Sequence, residues 1–397
     1  MKLCWLVPDD QSGGVATVAH ACCQNLAKSG YDVTLLIVLT PTGRIRSSPN
    51  FHFDSLYLIG DAKDTPNALL EWLQANPQDI LFLNGCEQAD AVIAYLPKNL
   101  YCVYVVHDTA PCYWKKAIQE ESNLDSIVAV SRAVAQQFKR NLKEPGKLSV
   151  IFNGCHFSEL SSPLERRFND IVFLGGDKPI KGAFDVLNVW QCLVKLGFPG
   201  KLHWFGNLSS DFQEKVLRLP SSEQICLYGQ ASRDVIFFTA STAKVLLMLS
   251  RVEPFGMATI EAMSMGCVPI AWDIETGTKE IIGESETGVF IPLGNTKLLV
   301  DKVLDILDRH SEFETAVMHH ARTHFNAEVM GQKYEALIQS LAAQPPVHRS
   351  KSGQIPPAYQ PPVRKFQLLP TPIRSTIRQW IGQSPRLGYW LRDLRGF

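Results

Sequence analysis

Val245-Leu-Leu-Met-Leu249 leads directly into Ser250-Arg-Val-Glu-Pro-Phe-Gly-Met-Ala-Thr-Ile-Glu-Ala-Met-Ser-Met-Gly266. The first five residues have the length and composition of a buried strand. Pro254 is tolerated at a helix start, because its missing amide would be unpaired there, so a helix is expected from about Phe255. Such a helix turns the free amides near Phe255, Gly256 and Met257, and the positive end of its dipole, toward the strand's exit, a ready site for phosphate. Glu253 stays in the loop, free to reach a ligand. Glu261 lies about 7–8 Å beyond Gly256 along the helix axis. That matches the step from a nucleotide's diphosphate to its ribose, whose hydroxyls a carboxylate accepts in bidentate fashion. For two glutamates at arbitrary spacing, however, the bland reading is the stronger: a solvated helix residue and an N-terminal capping carboxylate.

The strand-then-helix pattern recurs on both sides of this segment. Residues 1 to about 40 read as strand (Lys2 to Val7), polar loop ending in Gly13-Gly14, helix and strand (Val33 to Leu39). The helix carries Val15, Val18, Cys22 and Leu26 at helical spacing until Gly30 stops it. Further apolar runs follow at Ile80–Leu83, Tyr101–Val106 and Ile127–Val130, leading into Asn84-Gly85, His107-Asp108 and Ser131-Arg132. Active-site residues of doubly wound sheets sit in such loops, at the carboxyl ends of strands. After the turn signal Asn153-Gly154 and a polar stretch, a second series runs through Ile171–Leu174, Leu202–Phe205, Ile225–Tyr228 and Val245–Leu249. The fold class is therefore α/β: two doubly wound, Rossmann-like domains with a cleft between them. A helical stretch from about Asp301 to Leu341 closes the globular part. Beyond Ala343 the prolines mark an extended linker, followed by short helical segments around Ser375 to Ile381 and Leu387 to Leu394.

The bulk properties agree. A chain of 397 residues is longer than one core usually grows. Hydrophobic residues at 46% and charged residues at 20% describe an ordinary globular protein, and no apolar run approaches the roughly 18 residues that span a bilayer. The apolar run at the N-terminus is shorter than a signal-peptide core. Ten cysteines without a Cys-x-x-Cys pair read as reduced, buried thiols of a cytoplasmic protein. A formal net charge of zero argues against a generic nucleic-acid binder.

The quoted segment resembles the retaining GT-B glycosyltransferases of family 4, whose signature is two glutamates with seven residues between them, within Glu-x-Phe-Gly…Glu-Ala-Met…Gly-x-Pro-Val. Here Glu253, Phe255, Gly256, Glu261, Ala262, Met263, Gly266 and Pro269 stand in those places. Thr276-Gly-Thr-Lys-Glu280 and Gly288 resemble the segments that follow, and the likeness spreads over most of residues 1–342. It implies a GT-B fold with an N-terminal acceptor domain (1–157), a linker (158–169), a C-terminal nucleotide-sugar-binding domain (170–325), a closing helix (326–342) and a Pro-rich basic extension (343–397). It also implies transfer of a sugar, a hexose by expectation, from a UDP- or GDP-sugar donor to a carbohydrate or lipid-linked acceptor, with retention. Glu253, His107 and Lys181 would be catalytic. Gly175, Lys181, Pro254, Phe255, Gly256, Met257 and Glu261 would bind the donor, and Gly13 and Gly14 would contact acceptor or phosphate. The family's Gly-Arg pair before that lysine is Gly175-Gly176 here, so either Lys178, Arg251 or Arg132 substitutes for the missing cation or the donor phosphates rely more on backbone amides.

Other chemistries fit less well. Phe173 to Gly182 lacks the spacing of a dinucleotide loop, and no Walker lysine occurs. A lone histidine such as His107 is more often a satisfied loop residue, so its role rests on position and resemblance; His20 is assigned to packing. No Asp-x-Asp motif and no His/Cys cluster is present, so a metal-independent enzyme with no cofactor is expected. A non-catalytic relative or a sugar-nucleotide epimerase of the same fold is the alternative, but the former would more readily have lost one of the two glutamates. In the extension, nine Lys and Arg residues from Arg349 to Arg395 face the single acid Asp393, with Trp380 and Trp390 among them. Two readings stand level: peripheral contact with an anionic membrane, or docking on the protein's own body or a partner.

Overall fold

The computed structural model describes residues 1–10, 14–38, 50–56, 62–157, 167–283, 286–360, 370, 372–373 and 376–377. The first series forms β1 (Lys2–Val7), α1 (Gly14–Lys28), β2 (Asp32–Ile37), β3 (His52–Ser55), α2 (Thr65–Ala75), β4 (Ile80–Leu83), β5 (Tyr101–Val106), α3 (Pro111–Gln119), β6 (Ser126–Ala129), α4 (Arg132–Phe138) and β7 (Leu148–Val150). These strands make one seven-stranded parallel sheet in the order β3-β2-β1-β4-β5-β6-β7. Runs such as Ile80–Leu83 are buried on both faces, which is what a parallel sheet covered by helices demands.

The second series forms β8 (Ile171–Leu174), α5 (Ala183–Lys195), β9 (Leu202–Phe205), α6 (Ser210–Leu217), β10 (Ile225–Gly229), α7 (Arg233–Thr242), β11 (Val245–Met248), α8 (Met257–Ser264), β12 (Val268–Trp272), α9 (Gly277–Ile282), β13 (Val289–Ile291) and α10 (Thr296–His324). Its six strands are also parallel, in the order β10-β9-β8-β11-β12-β13. Strand order reverses between β1 and β4 in one sheet and between β8 and β11 in the other. Ligands of doubly wound sheets bind beyond the carboxyl ends of the strands at such points.

Two compact units result: Met1–His156 with the described part of Asn326–Arg364, and Phe157–Phe325. The linker expected over 158–169 lies mostly outside the described residues. The helical stretch from about Asp301 to Leu341 is divided at Phe325-Asn326, where the Asn326 side chain caps α11 (Ala327–Ala342), over the residues named for the closing helix, by accepting from the Val329 amide at 2.7 Å. α11 returns to the first unit. Its Tyr334 stands edge-on to Trp5, itself stacked on Phe82 at 4.4 Å, and its Met330 sulfur accepts the Gly154 amide.

Several strands carry weak local signals. β3 is short and polar, and β12 contains Pro269. That proline is harmless because the β13 ladder begins one residue later, at Ile270↔Val289. On α1, Val15 is only half-buried, and the buried face includes Ala16, Val18, Ala19, Cys22, Cys23 and Leu26. His20 packs edge-on against Phe51, as expected.

The extension needs correction. Residues 344–360 are docked on the first unit as a strap. Arg349, counted from sequence among the charges facing a membrane, is fully buried. Its guanidinium pairs with Asp125 at 2.6 Å and donates to the carbonyls of Asn123, Pro97 and Leu100. These are chain ends at the amino edge of the sheet, where carbonyl oxygens converge and need donors. Lys351 lies over the Tyr95 ring, and the Tyr359 hydroxyl donates to Glu87, in the loop after β4. For this stretch, docking on the protein's own body is the reading that holds. The helical segments expected after Ser375 lie outside the described residues, apart from isolated positions.

Candidate functional site

In the second unit, the loop after β8 and the loop after β11 meet at the switch point. The Arg251 amide donates to the Ile180 carbonyl at 2.8 Å, tying them together. Across that contact Lys181 Nζ lies 2.7 Å from Glu253 Oε2, and the Ser250 hydroxyl donates to the same oxygen at 3.2 Å. Glu253 is 89% buried at its side chain, so the carboxylate is held rather than free. Its own carbonyl accepts from the Gly277 amide at 2.8 Å, which fixes the loop against α9. Glu253 is therefore not a capping residue.

α8 begins two residues later than expected. Gly256 sits at φ +119°, a left-handed value that no helix can continue through, and it caps α8 in place of Pro254. Pro254 and Phe255 remain in the loop. The Thr259 and Ile260 amides turn back to the Gly256 carbonyl, leaving those of Met257 and Ala258 with no carbonyl inside the helix. Free amides at a helix start suit a phosphate oxygen.

Glu261 on α8 is not a solvated residue: its side chain is 14% exposed, and its carboxylate meets Arg233 Nη2 at 3.0 Å. Burial pushes its pKa up, and the Arg233 guanidinium pulls it back down. Arg233 opens α7 just after β10, and sequence reasoning missed it. The usable signal was a cation at a helix N-terminus, where the dipole disfavours it.

The family arginine cannot be accommodated at Gly176. The backbone there is left-handed, at φ +60°, and a Cβ would stand 2.6 Å from the Asn207 carbonyl oxygen. The Gly176 amide and carbonyl instead bond Phe205 O and Trp204 Nε1. Of the proposed substitutes, Arg251 is engaged by both oxygens of Asp185 and Arg132 lies over Phe152, while Lys178 is exposed on the loop beside Lys181.

The first unit holds His107, one residue past β5. Asn84 donates through Nδ2 to the Leu6 carbonyl at 3.0 Å, so its Oδ1 accepts from His107 Nε2 at 2.9 Å. That bond selects the Nε2–H tautomer and leaves Nδ1 as an acceptor. Burial pushes the ring's pKa down to about 4, so His107 is neutral near pH 7. Gly14 opens α1, and Gly13 lies outside the described residues.

Two family models match consecutive parts of the chain: Glycosyltransferase Family 4 over residues 12–159 and Glycosyl transferases group 1 over residues 160–323. An uncharacterized glycosyltransferase of Methanocaldococcus jannaschii is 29% identical over 187 residues, covering 47% of this chain and 51% of its own length. The capsular polysaccharide biosynthesis glycosyltransferase CapM of Staphylococcus aureus is 22% identical over 237 residues, covering 54% of this chain and 61% of its own. The chain thus spans little more than half the length of either relative. Among solved structures, Anabaena HepE in complex with UDP and glucose superposes with a TM-score of 0.68 at 15% identity, covering 86% of this chain and all of the other.

Proposed function

From a chain that belongs to the family-4, group 1 glycosyltransferases, we propose an enzyme that moves a sugar from a nucleotide diphosphate sugar to a hydroxyl of a glycan, glycolipid or small-molecule acceptor. The observation that carries this reading is the arrangement at the second switch point. The Lys181–Glu253 pair and the two amides of α8 stand at one end, and the carboxylate of Glu261 lies further along the same helix. The UDP in the HepE structure supports a nucleotide-sugar donor, here UDP- or GDP-linked.

In this reading the diphosphate lies on the Met257 and Ala258 amides and Lys181, which stabilise the negative charge that builds on the departing phosphate. Glu261 accepts from the ribose hydroxyls. Glu253 orients donor sugar hydroxyls and balances positive charge at the anomeric carbon. Retention follows if the acceptor oxygen attacks from the leaving-group face: the anomeric carbon–phosphate oxygen bond breaks, the new carbon–oxygen bond forms, and the acceptor's proton passes to a phosphate oxygen. No step requires a metal.

Calorimetric titration with UDP-, GDP- and ADP-sugars tests the donor site. Glu261→Ala is expected to weaken the cognate donor by at least tenfold, about 1.4 kcal/mol, as two charge-assisted hydrogen bonds are lost. Wild-type affinity in that variant would overturn the assignment.

Among the described residues no helix is long and apolar enough to cross a membrane. A lipid-linked acceptor would then be met at the surface, and the basic, aromatic residues beyond the strap suit such contact. Because residues 344–360 are docked, the truncation that tests this removes 361–397 only. Reduced co-sedimentation with anionic liposomes is expected; equal binding by both forms would end the idea.

A further inference from the structure

We propose that Arg233 is a positioning residue for Glu261, holding its carboxylate ionised and aimed so that it can accept the donor's ribose hydroxyls. This inference rests on the donor-binding reading above.

Three observations carry it. First, Arg233 Nη2 approaches Glu261 Oε1 at 3.0 Å although the two residues come from different helices, α7 and α8. Second, the guanidinium lies 5.2 Å from the Phe237 ring centroid, one turn along α7, which fixes a long side chain that would otherwise be free to rotate. Third, Arg233 is the first residue of α7. A cation there opposes the helix dipole, and a sequence that breaks a local rule does so most often where a site needs the residue. Glu261 supplies the need. Burial favours the protonated form of its carboxyl, a cation beside it opposes that, and a protonated carboxyl loses part of its capacity to accept.

The other charged groups around α8 are engaged elsewhere. Arg322 donates to the Ser264 carbonyl at the far end of the helix, and Arg167 pairs with Glu314 of α10. On α9, Lys279 pairs with Asp273 and Glu275, and Glu280 follows it. Asp234, beside Arg233, is exposed. Arg233 is accordingly the cation that lowers the Glu261 pKa against its burial.

The test is calorimetric binding of UDP-glucose, GDP-mannose and ADP-glucose to the full chain from pH 5 to pH 9. Their phosphates are diesters without a second ionisation and their bases stay neutral below about pH 8, so up to that pH the dependence reports the protein. In the wild type, affinity rises with pH as Glu261 ionises. Arg233→Met is expected to move that rise to higher pH and to weaken binding most at the acid end of the range, with Arg233→Lys restoring most of both. A merely structural role lowers affinity equally at every pH. An Arg233→Met midpoint identical to the wild type therefore overturns the inference, whatever happens to the affinity. If Glu261→Ala binds donors like the wild type, or if the wild type binds none of them, the donor reading itself fails.

Discussion

Glu253→Ala lowers the turnover of sugar transfer by about 10²–10³ and changes donor affinity by less than about tenfold. The asymmetry follows from where its charge acts. Positive charge at the anomeric carbon exists in the transition state and not in the bound donor, so removing the carboxylate raises the barrier more than it weakens binding. The structure adds a second consequence. Glu253 neutralises Lys181 across 2.7 Å, so its removal frees that lysine for the diphosphate, and donor affinity is expected to hold or tighten. Glu253→Gln keeps the hydrogen bond from Ser250 and loses the charge, and should be nearly as slow. Initial rates and calorimetry on both variants separate the two effects. Unchanged turnover in Glu253→Ala would refute the catalytic role, and a large loss of affinity at unchanged turnover would make Glu253 a binding residue only.

Arg349→Met destabilises the first unit by about 3 kcal/mol, which for a unit of this size lowers Tm by roughly 6–12 °C. The substitution leaves Asp125 buried without its cation and removes the donor shared by the Asn123, Pro97 and Leu100 carbonyls. Asp125 keeps the amides of Cys102 and Val347, which places the cost at the lower end of the range for a broken buried pair. Deleting residues 344–397 sets the ceiling. A mutant strap that cannot hold its place detaches, and the resulting state resembles the truncated protein, with Asp125 and the carbonyls open to water. Calorimetric melting of the single variant and the truncation should therefore place Arg349→Met at or above the truncation's Tm. A shift below about 2 °C for Arg349→Met would mean that the buried Arg349–Asp125 pair contributes little to stability.

Sequence alone determined much of the frame. The apolar runs at Ile80–Leu83, Ile171–Leu174 and Leu202–Phe205 are strands with those bounds, because parallel strands buried on both faces leave an uninterrupted apolar signature. The loops named from sequence as places for chemistry hold Asn84, His107, Lys181 and Glu253, since strand ends in this fold class are where ligands bind. Those are local properties, readable from neighbours in the chain. Four things depended on partners far away in sequence, and tertiary structure alone decided them. Glu253 is bound to Lys181, 72 residues earlier, and Glu261 to Arg233, so neither glutamate is the capping or solvated residue that its neighbours suggest. Gly176 excludes the family arginine because Asn207 occupies the space a side chain would need. Arg349 lies in a proline-rich stretch that reads as a solvated linker, yet it is fully buried, because the carbonyls that require its donors belong to strand ends more than 200 residues away. Periodicity and propensity report the nearest few residues of the chain, whereas the burial of a charge is set by whatever the fold brings beside it.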